Sequence, residues 1–310
     1  MQQTLIPYFR PAFQRTVSIL TLVADFVDDY KFLTNWNSVS FEGWKLPATL
    51  DPHYWCGLWN TEGCLNTKEH ERLGKGKRVY IKQYQRSCYR ASCKTCYLRW
   101  IARQANNATR RIEQYTKNHG GKPIHLILSI PPSQHHLPVK LLRERMSQIL
   151  KIAEFEGGAV IFHPFRLNKK TSQWYTWPHF HLLGFGSHQK IVQAFGKYGW
   201  YIKEAGERES VFQTFCYILS HCGVRKGCHI LTWFGDLSYS KLPVEKEPKI
   251  TCCPVCGAKF VKVYYDGIHP VAPPDKHFEG LVDSDDKWYE VENIWEKEWT
   301  KRDRYEYALT

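Results

Sequence analysis

The stretch "WPHFHLLGFG" at residues 177–186 places His179 and His181 on either side of one phenylalanine. Along a strand alternate side chains face the same way, so both imidazoles point to one side and Phe180 to the other. Their backbone positions are then ~7 Å apart, close enough for both rings to reach one metal ion. A second set of reactive residues lies in "FCYILSHCG", where Tyr217 and His221 are spaced to share one helix face, with Gln213 a turn earlier. Packed across the strand, that helix would carry a tyrosine hydroxyl to the histidines. The chemistry is phosphoryl transfer: a divalent cation held by His179 and His181 polarises a phosphate, and the hydroxyl attacks in line to leave a covalent phosphotyrosine. Tyr198 and Tyr201 are rival nucleophiles by position.

The eleven cysteines fall mostly in close pairs, a usage that points to zinc in a reducing compartment more readily than to disulfides. "CYRASCKTC" supplies Cys88, Cys93 and Cys96, with a C-x-x-C bite suited to tetrahedral zinc. The fourth ligand is expected from Cys64, with Cys56 or His70 as alternatives. "CCPVCGAKF" reads as a zinc-ribbon knuckle through Cys253 and Cys256, with Cys228 and His229 as its nearest partners and Cys222 in reserve. Neither group is catalytic by its surroundings: the deaminase order of H-x-E before P-C-x-x-C is absent.

The elements that must position these residues follow from periodicity. "PIHLILSI", "GAVIFHPF", "HFHLLGF", "WYIKEA" and "HILTWF" read as strands, and "PVKLLRERMSQILKIAEFEGG", "HQKIVQAFGKYG" and "ESVFQTFCYILSHCG" as helices. Apolar residues also recur at helical spacing from Tyr97 to Ile112. The order β-α-β-β-α-β-α-β predicts an α+β domain with a central antiparallel sheet and helices packed on it. We divide the chain into an N-terminal extension (1–45), a zinc-binding segment (46–96), the core (97–242), a second zinc-ribbon-like element (243–274) and an acidic, Trp-rich tail (275–310). That tail holds eleven acidic and six basic side chains, so the rest carries 37 basic against 19 acidic. With 12 Trp and 18 Tyr, such a surplus suits a protein that neutralises phosphates and stacks on unpaired bases. No run approaches the ~20 apolar residues of a membrane span and the N-terminus lacks a signal-peptide layout, so a cytoplasmic location away from membranes is expected.

Residues 123–240 resemble the HUH endonucleases, specifically the rolling-circle replication initiators of archaeal plasmids and viruses. The resemblance rests on "HLILSIPPS" (125–133), "PHFHLL" (178–183) and "YILSH" (217–221), in the family's order, with "FHPFR" (162–166) and "TWFGDLSYSKL" (232–242) resembling the archaeal branch. It implies an HUH/RRM-like nuclease core that nicks and joins single-stranded or hairpin origin DNA with Mg2+ or Mn2+. Tyr217 would join the 5′ phosphate and free a 3′ hydroxyl for a host helicase and polymerase. Where the family usually has a lysine shortly after the tyrosine, this chain has Ser220 and His221; as in some related enzymes, His221 is the expected third ligand, with Gln173 as the alternative. The same chemistry also serves single-strand transposases and relaxases. A reading of another class is a non-catalytic, zinc-dependent DNA-binding regulator in which the H-x-H is structural.

Overall fold

A computed structural model of the chain describes residues 39–205, 210–244, 251–266 and 277–291. Most of the expected N-terminal extension (1–38) and the end of the acidic tail (292–310) lie outside the described residues. The chain is α+β with two antiparallel five-stranded sheets, one in each of two compact units. The first unit takes residues 1–56 and 87–246, the second 57–86 and 247–310. Among the described residues no helix is long and apolar enough to cross a membrane.

The second unit is built on β1 (Trp59–Cys64), α1 (Thr67–Arg72) and β2 (Arg78–Gln85). Residues far along the chain complete its sheet: β8 (Val261–Tyr265), β9 (Phe278–Asp283) and β10 (Trp288–Glu290), in the order β10-β8-β1-β2-β9. Val79, Ile81, Val263 and Trp288 form its small core. The expected zinc-binding segment 46–96 is therefore divided between the units, and part of the expected tail is strand.

The first unit begins its regular structure with α2 (Tyr97–His119), followed by β3 (Ile124–Ser129), α3 (Val139–Ile152) and β4 (Gly157–Asn168). Then come β5 (Gln173–Phe185), α4 (His188–Gly196), β6 (Tyr201–Glu204), α5 (Val211–Ser220) and β7 (Leu231–Gly235). Strand order is β6-β3-β5-β4-β7. Because β3 and β4 both pair antiparallel with β5, they run parallel to each other with β5 between them, so two β-α-β units interleave.

Alternation assigns the two faces of this sheet. Leu126, Leu128, Val160, Phe162, Phe180 and Leu182 pack under α3 and α4. On the opposite face Ala159, Ile161, Leu183 and Phe185 pack under α2 and α5. That second face turns polar toward one end: His163 pairs with His179 and Ser129 with His179, so these side chains share a side with His181. Immediately beyond, the register of β4 and β5 slips between His163 and Phe165. Pro164 and Pro178, neither with an amide to donate, stand at this slip. Such bulges bend a strand and re-aim its side chains.

Candidate metal centre

His163 on β4, His181 on β5 and His221 at the end of α5 converge, each offering a ring nitrogen within 4.8 Å of the other two. His179 stands beside them, its ring 5.2 Å from those of both His163 and His181. Tyr217, half-buried one helical turn before His221, lies with its ring 4.9 Å from that imidazole. The end of α5 is pinned by Gly223, whose amide donates to the Phe162 carbonyl at 2.8 Å. A side chain there would meet Pro164 Cδ at 2.7 Å and Trp44 at 3.1 Å, so the approach that sets His221 against His163 requires glycine.

Hydrogen bonds select the tautomers. His179 Nδ1–H donates to the Trp177 carbonyl at 2.8 Å. The Ser220 hydroxyl donates to the Tyr217 carbonyl at 2.7 Å, so its oxygen accepts from His221 Nδ1–H at 3.0 Å. Both rings thereby keep the lone pair on Nε2, the state a ligand needs. His125 on β3 contributes a third such contact, its Nε2 2.8 Å from His181 Nδ1. The ring of His163 is fully buried; the Ile218 carbonyl favours its protonated form, and its ring nitrogens otherwise have no hydrogen-bond partner. Buried polar atoms without partners are costly, and a metal ion would satisfy one here.

All four imidazoles are nearly sealed: relative exposure is 0% for His163, 4% for His179, 3% for His181 and 6% for His221. Burial, followed by the mutual repulsion of the rings, holds His163 and His181 well below the usual histidine range. Burial lowers His179 to about 3, against the opposing hydrogen bond to Trp177 and with help from the Arg166 charge. His163, His179 and His181 are thus neutral near pH 7. At the rim Arg166, half-buried, donates to the Ser129 hydroxyl at 2.7 Å.

Of the expected ligands His179, His181 and His221, the structure brings His181 and His221 together with His163 and sets His179 beside them. Gln173, the alternative third ligand, is exposed and pairs with Asn168 at the hairpin end of β5, beyond the bulge. Tyr198 and Tyr201 are exposed. The signal that could have found His163 was present in "FHPFR": it lies two residues after Ile161, so it faces the same side of a strand adjacent to the H-x-H.

Two further groups could each hold a zinc ion, and they re-pair the expected ligands. Cys88, Cys93 and Cys96 are completed by Cys56, within the first unit; Cys64 and His70 join Cys253 and Cys256 in the second. Cys228 and His229 take part in neither. In the first group burial pushes Cys56 up to about 12 and Cys93 to about 11. Burial also acts on Cys96, but hydrogen bonds from Ser87, the Cys88 amide, Cys56 and Cys93 outweigh it and bring that thiol down to about 7. In the second group His70 Nδ1–H donates to the Arg78 carbonyl at 2.7 Å, leaving Nε2 3.3 Å from Cys253 Sγ. Cys64 Sγ and Cys256 Sγ are 3.5 Å apart, near the roughly 3.8 Å that two thiolates keep around tetrahedral zinc.

Comparison with models of known protein families, with curated proteins and with solved structures finds no match.

Proposed function

We propose that the first unit is a metal-dependent, HUH-type enzyme that nicks and joins single-stranded or hairpin DNA, acting as a rolling-circle replication initiator. One observation carries this reading: His181 of the H-x-H strand, His221 and Tyr217 meet on one sheet face beside a bulge, although 36 residues separate His181 from Tyr217 in the chain. The interleaved order β6-β3-β5-β4 supports an RRM-like core, which the resemblance implies. His163, His181 and His221 would hold the ion, and an all-nitrogen donor set favours Mn2+ over the oxygen-seeking Mg2+. When bound, such an ion supplies Lewis-acid polarisation of a phosphate oxygen and neutralises its charge. His125 and Ser220 orient the ligand rings, and Arg166 adds positive charge at the rim. The Tyr217 oxygen forms a bond to phosphorus while the bond from phosphorus to the 3′ oxygen breaks. The phenolic proton passes to solvent and the departing oxygen takes one up, giving a 5′-phosphotyrosine and a free 3′ hydroxyl for a host polymerase to extend.

The test is labelled single-stranded DNA incubated with the protein and Mn2+, followed by denaturing electrophoresis and mass mapping. The expected result is an SDS-resistant adduct on Tyr217. A second reading, a zinc-dependent DNA-binding regulator, draws on the near-complete burial of the four imidazoles, which suits a structural ion. Binding of DNA with no adduct in Mn2+, Mg2+ or Zn2+ would decide for the regulator.

A further inference from the structure

On the face of the first unit opposite the histidines, a cavity of about 700 Å³ opens between α3 and the loop at 225–229. Its charged lining is one-sided: Lys140, Arg143, Lys151, Arg225 and Lys226 against Glu144. Arg143 is held in place at its floor. It donates to the His229 carbonyl at 3.0 Å and its guanidinium lies 5.7 Å from the Trp44 ring. Burial lowers its pKa, yet its Nε is buried without a hydrogen-bond partner, as is Trp44 Nε1. Five cations against one carboxylate make a lining suited to an acceptor-rich anion.

The spacing of the cations identifies the anion. Lys140 and Lys151 are exposed on the same side of α3, and eleven helical residues span ~16 Å. One small phosphate cannot touch both ends of such a row, whereas a strand with a phosphate every ~3.4 Å along the axis can. The loop that closes the cavity begins just past His221; four residues reach at most ~14 Å, so Arg225 lies within a few nucleotides of the histidine cluster. We infer that this cavity binds the phosphodiester backbone of a nucleic-acid strand, as a site separate from the histidines and independent of whether they cleave.

The experiment uses the full chain carrying Tyr217→Phe and a short labelled oligonucleotide, with fluorescence anisotropy read across a range of NaCl. Lys140→Gln, Lys151→Gln and Arg225→Gln together are compared with Lys117→Gln, Lys122→Gln and Lys197→Gln, exposed lysines elsewhere on the unit. Each lost phosphate contact lowers the slope of log K against log salt by ~0.7 for single strands, so the cavity triple should lower it by about 2 and weaken binding roughly tenfold or more. The control triple should leave the slope nearly unchanged. Equal losses in both triples would mean diffuse surface charge and would overturn the inference. So would competition by inorganic triphosphate as effective as that of unlabelled oligonucleotide at equal phosphate concentration. Because binding is read without cleavage, failure here is distinct from failure to form the tyrosine adduct.

Discussion

Replacing His163 with leucine separates a metal ligand from a core residue. Without metal, His163 has the Ile218 carbonyl for one ring nitrogen and leaves the other in the interior with no partner, at a cost of about 1–3 kcal/mol. Leucine removes that cost and introduces a shape mismatch of up to about 1.5 kcal/mol. The net expectation is a metal-free variant as stable as wild type or more stable by up to about 3 kcal/mol. For a unit of this size that corresponds to a rise in Tm of up to about 12 °C. Mn2+ at a hundredfold excess over Kd stabilises the wild type by ~2.7 kcal/mol, whereas the variant, lacking one of three ligands, gains little. The two melting curves therefore exchange order when Mn2+ is added. Differential scanning calorimetry with and without Mn2+, on protein whose zinc content is verified, reads both effects. A variant that melts well below wild type without Mn2+, and still gains several degrees from it, would refute the assignment.

Tyr217→Phe should abolish the covalent adduct while leaving single-strand binding within about twofold; an adduct on Tyr198 or Tyr201 would place the nucleophile elsewhere. In metal-free protein His163, His179 and His181 are held neutral with folded pKa values below the ordinary 6.5, so the unfolded chain binds the additional protons. Stability should be flat above about pH 6.5 and fall as pH drops toward about 3, by up to about 1.4 kcal/mol per pH unit for each ring; a urea midpoint constant from pH 6 to about 4 would contradict this. Purified protein should carry two zinc ions by elemental analysis. Cys56→Ala and Cys64→Ala should each lose one, whereas Cys228→Ala keeps both. In hydrogen exchange Cys64→Ala should expose β1, β2 and β8 and spare α2, and loss of protection in α2 would show that the pairing is wrong.

The elements around the candidate site were legible because their patterns are local. β3 to β7 and α3 to α5 each show their period within a dozen residues, and the H-x-H announces itself by alternation. His163 and His125 were not legible in the same way, since a single histidine inside "GAVIFHPF" or "PIHLILSI" reads as one more core position. What distinguishes them is the register of β4 and β3 against β5, a property of pairing that neither strand carries alone. The cysteines failed for a related reason. Nearest-neighbour spacing suggested Cys64 for the first group and Cys228 with His229 for the second, but the ligands of the two groups interleave along the chain: Cys56, then Cys64 and His70, then Cys88, Cys93 and Cys96. The sheet joining β1 and β2 to β8, β9 and β10 closes over almost two hundred residues, and long-range pairing of that kind leaves no trace in either segment.

That closure has a consequence during synthesis. All four ligands of the first cysteine group are present once Cys96 leaves the ribosome. The β1–β2 hairpin, however, must wait for Cys253, Cys256 and the strand at Val261–Tyr265, some 170 residues later by position. At ~5–20 residues per second the delay is roughly ten to thirty seconds. For that interval a nascent hairpin displays two unpaired edges, bare Cys64 and His70, and no sheet to bury Ile81. Slow or stalled translation after residue 86 should therefore feed aggregation, and truncation before residue 253 should yield a chain whose first unit folds while the hairpin becomes the sticky segment.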